Sequence, residues 1–140
     1  MSDLRIIVTG GRKRCGDQDC RTLAEAIFAG LRTVPIPLVK NRRVVIIQGG
    51  CPDGVDAMAR DLAVHAAMAV ETYPADFDSH PDDAVELSNQ AMVDQGADLC
   101  IAMPNAADDG PSLGTWDMIR RAVAAGIETR IYPEVGHEHG

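Results

Sequence analysis

The sequence predicts an α/β fold, a three-layer sandwich around a mostly parallel sheet of about five strands. Three observations carry that reading. Short aliphatic runs alternate along the chain with longer stretches whose apolar residues recur at helical spacing. The run Val44-Val45-Ile46-Ile47 is β-branched with no polar alternation, as in a strand covered on both faces. The chain is 46% hydrophobic but only 4% aromatic, so alanine and the aliphatics must fill the interior, which suits helices packed on aliphatic strands.

The elements follow in order. Leu4 to Thr9 reads as the first strand, with Ile6-Ile7-Val8 at its centre and Gly10-Gly11 as its stop. Asp17 or Asp19 can cap the next helix, because an aspartate side chain accepts free first-turn N–H groups. Leu23, Ile27 and Leu31 give that helix one apolar stripe, and Pro35 and Pro37 mark the loop after it. Val44 to Ile47 is the second strand, stopped by Gly49-Gly50. Asp53 is placed to cap a second helix with Val55, Met58, Ala59, Leu62 and Ala66 on one face. Ala69 to Tyr73 forms a short third strand, and a third helix runs from about Asp82 to Gln95. Leu99 to Met103 is a fourth buried strand, followed by a polar loop from Asn105 to Ser112. Gly114-Thr115 opens a fourth helix with Trp116, Ile119 and Val123 along one side, and Gly126 is its stop. Glu128 to Tyr132 is the last strand. Five strands alternating with four helices imply right-handed crossovers and a Rossmann-like order. Residues 1–135 read as one domain, and 136–140 as a flexible C-terminal tail.

A formal net charge of −8 argues against a general duplex-DNA binder, which needs a positive footprint to displace counterions. Arg12-Lys13-Arg14 and Arg42-Arg43 are local basic runs, so a small anionic ligand remains compatible. Cys15, Cys20, Cys51 and Cys100 form no CxxC pair and no disulfide framework. With no signal-peptide core and no membrane-length apolar stretch, the sequence reads as a reduced, cytoplasmic protein. His65 and His80 have no metal-ligand spacing with the cysteines, and His137 and His139 lie in the tail, so no metal is expected.

In open α/β sheets ligands bind outside the carboxyl ends of the strands. The loops there hold Gly10-Gly11-Arg12, Gly49-Gly50 through Gly54 to Asp56, and Gly114-Thr115. Glycine lets the backbone approach a ligand, and a helix N-terminus offers free N–H groups and partial positive charge to an anion. Thr115 adds a hydroxyl, and Arg12 adds donors suited to phosphate. Glycines after strands also serve as plain tight turns in any α/β protein; it is the convergence of three such loops that points to a ligand. No GxxxxGK[ST] loop and no GxGxxG fingerprint occurs. Asp56 and Asp117 can hydrogen-bond a ribose, act as general acid or base, or simply stabilise their own helix ends. Ser88-Asn89 share a helix face with Val85 and Met92.

Together, Val8-Thr9-Gly10-Gly11-Arg12, Gln48-Gly49-Gly50-Cys51-Pro52-Asp53-Gly54-Val55-Asp56, Pro74-Ala75-Asp76-Phe77, Asn89-Gln90-Ala91-Met92, Ile101-Ala102-Met103-Pro104 and Gly114-Thr115 resemble the YspA-type branch of the SLOG superfamily. The resemblance implies a Rossmann-like fold and binding of nucleotides or nucleotide-derived signals, including those related to NAD or ADP-ribose. Its relatives include LOG-type phosphoribohydrolases and DprA-type DNA-binding proteins. The sequence departs from the pattern in places. An arginine-asparagine pair of the branch stands here as Ser88-Asn89. The hydrolase motif PGGxGTxxE is stretched into Pro104 to Thr115, with Met118 at the catalytic glutamate position and Asp117 one residue out of register. The hydrolase's helix arginine has no clear counterpart, and the loop with Asp108 and Asp109 reads as a lid or a block to a second phosphate.

The expected function is therefore binding or sensing of a phosphate-bearing nucleotide derivative. Gly10, Gly11, Gly49, Gly50, Gly54, Gly114 and Thr115 would hold phosphate, Arg12 would supply charge, and Asp56, Asn89 and Asp117 would orient ribose or base. The alternatives are an N-glycosidic hydrolase with Asp117 or Asp56 as the acid, and a DprA-like single-strand DNA binder. The expected partner is a small nucleotide-type molecule, and alanine-rich helical faces permit a homo-oligomer.

Overall fold

The structure is a computed structural model that describes residues 3–33, 43–105 and 112–133. The loop of Pro35 and Pro37, Arg42, the loop residues Asp108 and Asp109, and the tail with His137 and His139 lie outside the described residues.

The elements are β1 (Leu4–Gly10), α1 (Asp17–Thr33), β2 (Val44–Gln48), α2 (Gly54–His65), β3 (Ala69–Thr72), α3 (Ala84–Gln95), β4 (Leu99–Met103), α4 (Leu113–Ala124) and β5 (Glu128–Ile131). All neighbouring strands pair in parallel, in the order β3-β2-β1-β4-β5. This is the α/β, Rossmann-like arrangement that the alternating runs predict. The order reverses at β1, which pairs with β2 on one side and β4 on the other. A crevice opens there, at the carboxyl ends of the strands.

Strand periodicity divides the core into two layers. Leu4, Ile6 and Val8 of β1 join Ile46, Leu99, Ile101 and Met103 beneath Leu23 and Ile27 of α1 and Val55, Met58 and Ala59 of α2. Ile7 points the other way, with Val45, Ile47 and Cys100, against Met92 and Val93 of α3 and Met118 and Ala122 of α4. Each buried aliphatic side chain contributes roughly 1.5–3 kcal/mol relative to exposure, so the two layers dominate stability. Burial pushes the Cys100 thiol up to about 12, which leaves it an inert core group. No described helix is long and apolar enough to cross a membrane.

Three local expectations need correction. Trp116 and Val123 do not lie on the buried face of α4; they are 43% and 60% exposed. Thr115, Met118, Ile119 and Ala122 form that face instead. Both sets satisfy helical spacing around Ile119, so spacing alone does not choose the buried one. Asp53 stands at the N-cap of α2 but makes no side-chain cap bond. The first turn of α2 is closed differently, by Val55 N–H donating to the Gly11 carbonyl at 3.3 Å. Ala66 follows the end of α2 and is exposed; Ala63 takes the buried position.

Candidate functional site

Gly10, Gly11, Arg12, Gly49, Gly50, Asp56, Asn89, Gly114, Thr115 and Asp117 all line one cleft of about 970 Å³ at the carboxyl ends of the strands. Gly54 does not. Its φ is +70°, and a Cβ there would lie 2.4 Å from the Gly11 carbonyl oxygen and 2.5 Å from Arg12 Cα. Its absent side chain lets α2 dock on the β1–α1 turn, so its role in the geometry is contact between loops.

The two glycine turns are braced from within, and much of their donor capacity is already used. Gln48, fully buried at the end of β2, accepts the Gly50 N–H on Oε1 at 2.7 Å and the Arg60 Nη1 on the same oxygen at 2.8 Å. Its amide nitrogen donates to Thr72 Oγ1 at 2.6 Å. Arg60 Nη2 donates to the Cys51 carbonyl at 2.8 Å. Asp56 Oδ2 accepts the Cys51 N–H at 3.1 Å. In the first turn, Gly11 N–H donates to the Met103 carbonyl at 3.0 Å. The amides of Gly11, Gly50 and Cys51 are therefore spoken for, and the absent side chains of Gly10, Gly11 and Gly50 mainly let Val55, Asn105 and Thr72 pack close. A Cβ at Gly11 would fall 1.7 Å from Asn105 Oδ1, which shows how closely the β1 and β4 loops approach.

The N-terminus of α4 differs. Ser112 occupies its N-cap position without a side-chain cap bond, because the Ser112 hydroxyl instead accepts the Asn105 N–H at 2.7 Å. Among the described residues, Trp116 N–H is the first helical donor paired, to the Ser112 carbonyl at 3.0 Å. The turn of Leu113, Gly114 and Thr115 lines the cleft, and among the described residues no side chain caps its dipole end. Asn89 braces it from α3: its Nδ2 donates to the Gly114 carbonyl at 3.1 Å and to Asp117 Oδ2 at 2.9 Å.

The basic run splits in two. Arg12 and Lys13 are exposed and line the cleft. Arg14 turns inward and is only 3% exposed. Its Nε donates to Asp19 Oδ1 at 2.9 Å, and its Nη1 donates to the Pro104 carbonyl at 3.2 Å and to the Tyr132 carbonyl. It pins the β1–α1 turn to the ends of β4 and β5. Sequence reasoning missed Arg14, Gln48 and Arg60 as builders of the site. A polar residue ending a fully apolar strand, as Gln48 does, is the one signal that pointed there.

The carboxylates have distinct surroundings. Burial raises the Asp56 pKa, opposed by the Cys51 N–H, Arg60, the Gly49 N–H and Arg12. Burial also pushes Asp117 upward, but the Arg121 hydrogen bond, the Asn89 amide and the charges of Arg121 and Arg120 outweigh it, and its pKa is lowered. The Arg121 Nε sits 2.7 Å from Asp117 Oδ2. A carboxylate held ionised in this way is poorly suited to donate a proton. Because the folded pKa is depressed, the stabilisation is present above the unfolded value of about 3.9 and is lost as pH falls through the folded value. Asp117→Asn is expected to cost about 1 kcal/mol at pH 7, with the gap closing below about pH 4. Urea denaturation of both proteins across that range checks it.

A more open depression of about 670 Å³ lies between α3 and α4, lined by Gln90, Asp94, Arg120 and Arg121. It holds no glycine turn and lies away from the strand ends, so the cleft is the better site.

The sequence profile of the YspA, cpYpsA-related SLOG family matches residues 4–80. The chain belongs to this family. The matched segment covers β1 through β3 and both glycine turns, and ends just after Phe77. The Gene 61 protein of Mycobacterium phage D29 is 32% identical to this SLOG protein over 127 residues, covering 88% of this chain and 91% of the phage protein. Two solved structures of the C-terminal domain of PF1911 hydrogenase from Pyrococcus furiosus are also similar, at TM-scores of 0.45 and 0.44 and 13% identity. They cover 94% and 91% of this chain, and 94% and 89% of their own. SLOG membership suggests nucleotide-related binding or processing.

Proposed function

We propose that this SLOG protein binds a phosphate-bearing nucleotide derivative in the cleft, as a binding or sensing domain. The supporting observation is the first turn of α4, which the Ser112 side chain does not cap and which lines one cleft together with exposed Arg12 and Lys13 and with Gly10, Gly11, Gly49 and Gly50. The anion sits at that turn, on the amides of Gly114 and Thr115 and the Thr115 hydroxyl. Arg12 adds long-range attraction and a second contact. Asp56 and Asn89 shape the walls, and Asp117 is held as an acceptor for ribose hydroxyls. The N-glycosidic hydrolase reading loses Asp117 as its acid, since Arg121 and Asn89 keep that carboxylate ionised, and rests on Asp56 alone, whose pKa burial raises.

A ligand that binds only the folded state raises stability by about 2.7 kcal/mol at 100 times its Kd. A thermal-shift series with AMP, ADP-ribose and ribose 5-phosphate is expected to show a saturable rise in Tm. Thr115→Val removes one donor to a charged group and is expected to weaken binding about ten-fold. No rise with any of the three at millimolar concentration counts against the reading, as does an unchanged midpoint for Thr115→Val.

A further inference from the structure

We propose that the outer face of α4 is an interface for a second copy of this chain, with the two α4 helices packed antiparallel across a two-fold axis. The inference concerns a surface beside the cleft and stands whatever the cleft binds.

Among the described residues nine large apolar side chains are exposed, and four of them gather on α4 and the edge strand beside it: Leu113, Trp116, Val123 and Ile131, at 74%, 43%, 60% and 41%. The other five are scattered over α1, α2, β3, α3 and the segment before α3. Ile131 belongs to the group by register. It pairs with Ala102, two residues from Cys100, whose side chain lies in the α3–α4 layer, so strand alternation turns Ile131 to the face that α4 covers. Exposed apolar residues standing singly need no explanation, whereas gathered ones mark a contact surface.

The order of residues on α4 says what covers it. Leu113, Trp116, Arg120 and Val123 recur at steps of three, four and three, which sets them along one side of the helix. Thr115, Met118, Ile119 and Ala122 are buried on the sheet side, and Asp117 and Arg121 are bonded to Asn89 and Gln90 of α3. The exposed stripe holds no carboxylate, in a chain of net charge −8 whose copies repel over most of their surface. Its spacing also reads the same in both directions. A two-fold axis through the middle of the stripe brings Leu113 onto the partner's Val123 and Trp116 onto the partner's Arg120, and each contact occurs twice. The first pairs apolar groups, and the second lays a guanidinium on an indole face. The Arg120 side chain is 70% exposed, and its ion pair with Asp117 is long, at 3.9 Å. Tryptophan and arginine are enriched at the centres of protein interfaces. A partner of unrelated sequence has no reason to match this mirrored order. Leu113, Trp116 and Arg120 also line the cleft, so the second copy reaches its rim on the α4 side.

Sedimentation velocity of the full chain from micromolar to near-millimolar concentration is expected to reach twice the mass of one chain. Val123→Asp plants a carboxylate in the stripe and is expected to leave a monomer. Arg120→Glu exchanges the cation on the indole for an anion and is expected to weaken association about ten-fold. Val123 and Arg120 are both exposed, so an unchanged circular dichroism spectrum separates lost association from lost folding. Cross-linking tests the register. Leu113→Cys combined with Val123→Cys is expected to form, under oxidised glutathione, a disulfide from position 113 of one chain to position 123 of the other, read by peptide mass spectrometry. Neither single variant is expected to form an interchain bond at the new position. A wild-type chain that stays monomeric throughout, or a dimer that persists in Val123→Asp and forms no such disulfide, overturns the interface.

Discussion

Arg14→Ala is expected to destabilise the protein by about 3–5 kcal/mol, the cost of leaving one partner of a buried ion pair uncompensated. Arg14 is 3% exposed and supplies the hydrogen bonds that satisfy Asp19 and the carbonyls of Pro104 and Tyr132. Removing it strands a carboxylate and two carbonyl oxygens near the ends of three strands. Domains of this size have only 5–15 kcal/mol of net stability, so the loss is a large fraction of the whole. The double variant Arg14→Met with Asp19→Leu removes both charges and fills the space, so it is expected to recover much of the loss. Urea denaturation of the three proteins measures both effects. A cost under 1 kcal/mol for Arg14→Ala would mean that the guanidinium reaches water and does not brace the turn.

Gly54→Ala is expected to cost about 2–4 kcal/mol, and the informative comparison is Gly126→Ala. Both glycines have positive φ, +70° and +78°, so both alanines carry the left-handed backbone penalty of about 1–2 kcal/mol. At Gly126 a Cβ meets nothing within 4 Å, whereas at Gly54 it meets the backbone of Gly11 and Arg12 at 2.4 and 2.5 Å. Backbone atoms cannot swing aside as a side chain can. The excess cost at Gly54 therefore measures the docking of α2 on the β1–α1 turn, the contact that holds the two glycine turns together. Equal losses at the two positions would show that the contact carries no energy.

Much of this architecture is legible in the sequence because the determining signals are local. The run Val44 to Ile47 announces a strand covered on both faces, and Gly10-Gly11 and Gly49-Gly50 announce the turns at the strand ends. The family-like stretch from Gln48 to Asp56 places the second turn correctly. What escapes is set by tertiary contacts. Nothing local distinguishes Arg14, which turns inward, from Arg12 and Lys13, which face the cleft. Nothing local reveals that the Gly50 amide is taken by Gln48 and the Gly11 amide by Met103. A glycine-rich turn reads as a row of donors until its partners are known. The face of α4 escapes for a related reason: the stripe of Trp116, Ile119 and Val123 and the stripe of Thr115, Met118, Ile119 and Ala122 share Ile119, and only tertiary contacts show that the second is buried and that Trp116 lines the cleft. Asp117 likewise looks like a candidate acid until Arg121, one helical turn on, is seen to hold its charge.

The proposed function comes down to where an anion sits, and amide resonances report that directly. In a 15N–1H titration with AMP, the Gly114 and Thr115 amides are expected to show the largest saturable shifts, with smaller ones at Arg12 and Lys13 and none along the buried strands of the α1–α2 layer. Saturable shifts centred on Gly11, Gly50 and Cys51 with α4 unmoved, or no saturable shift at all, would contradict it.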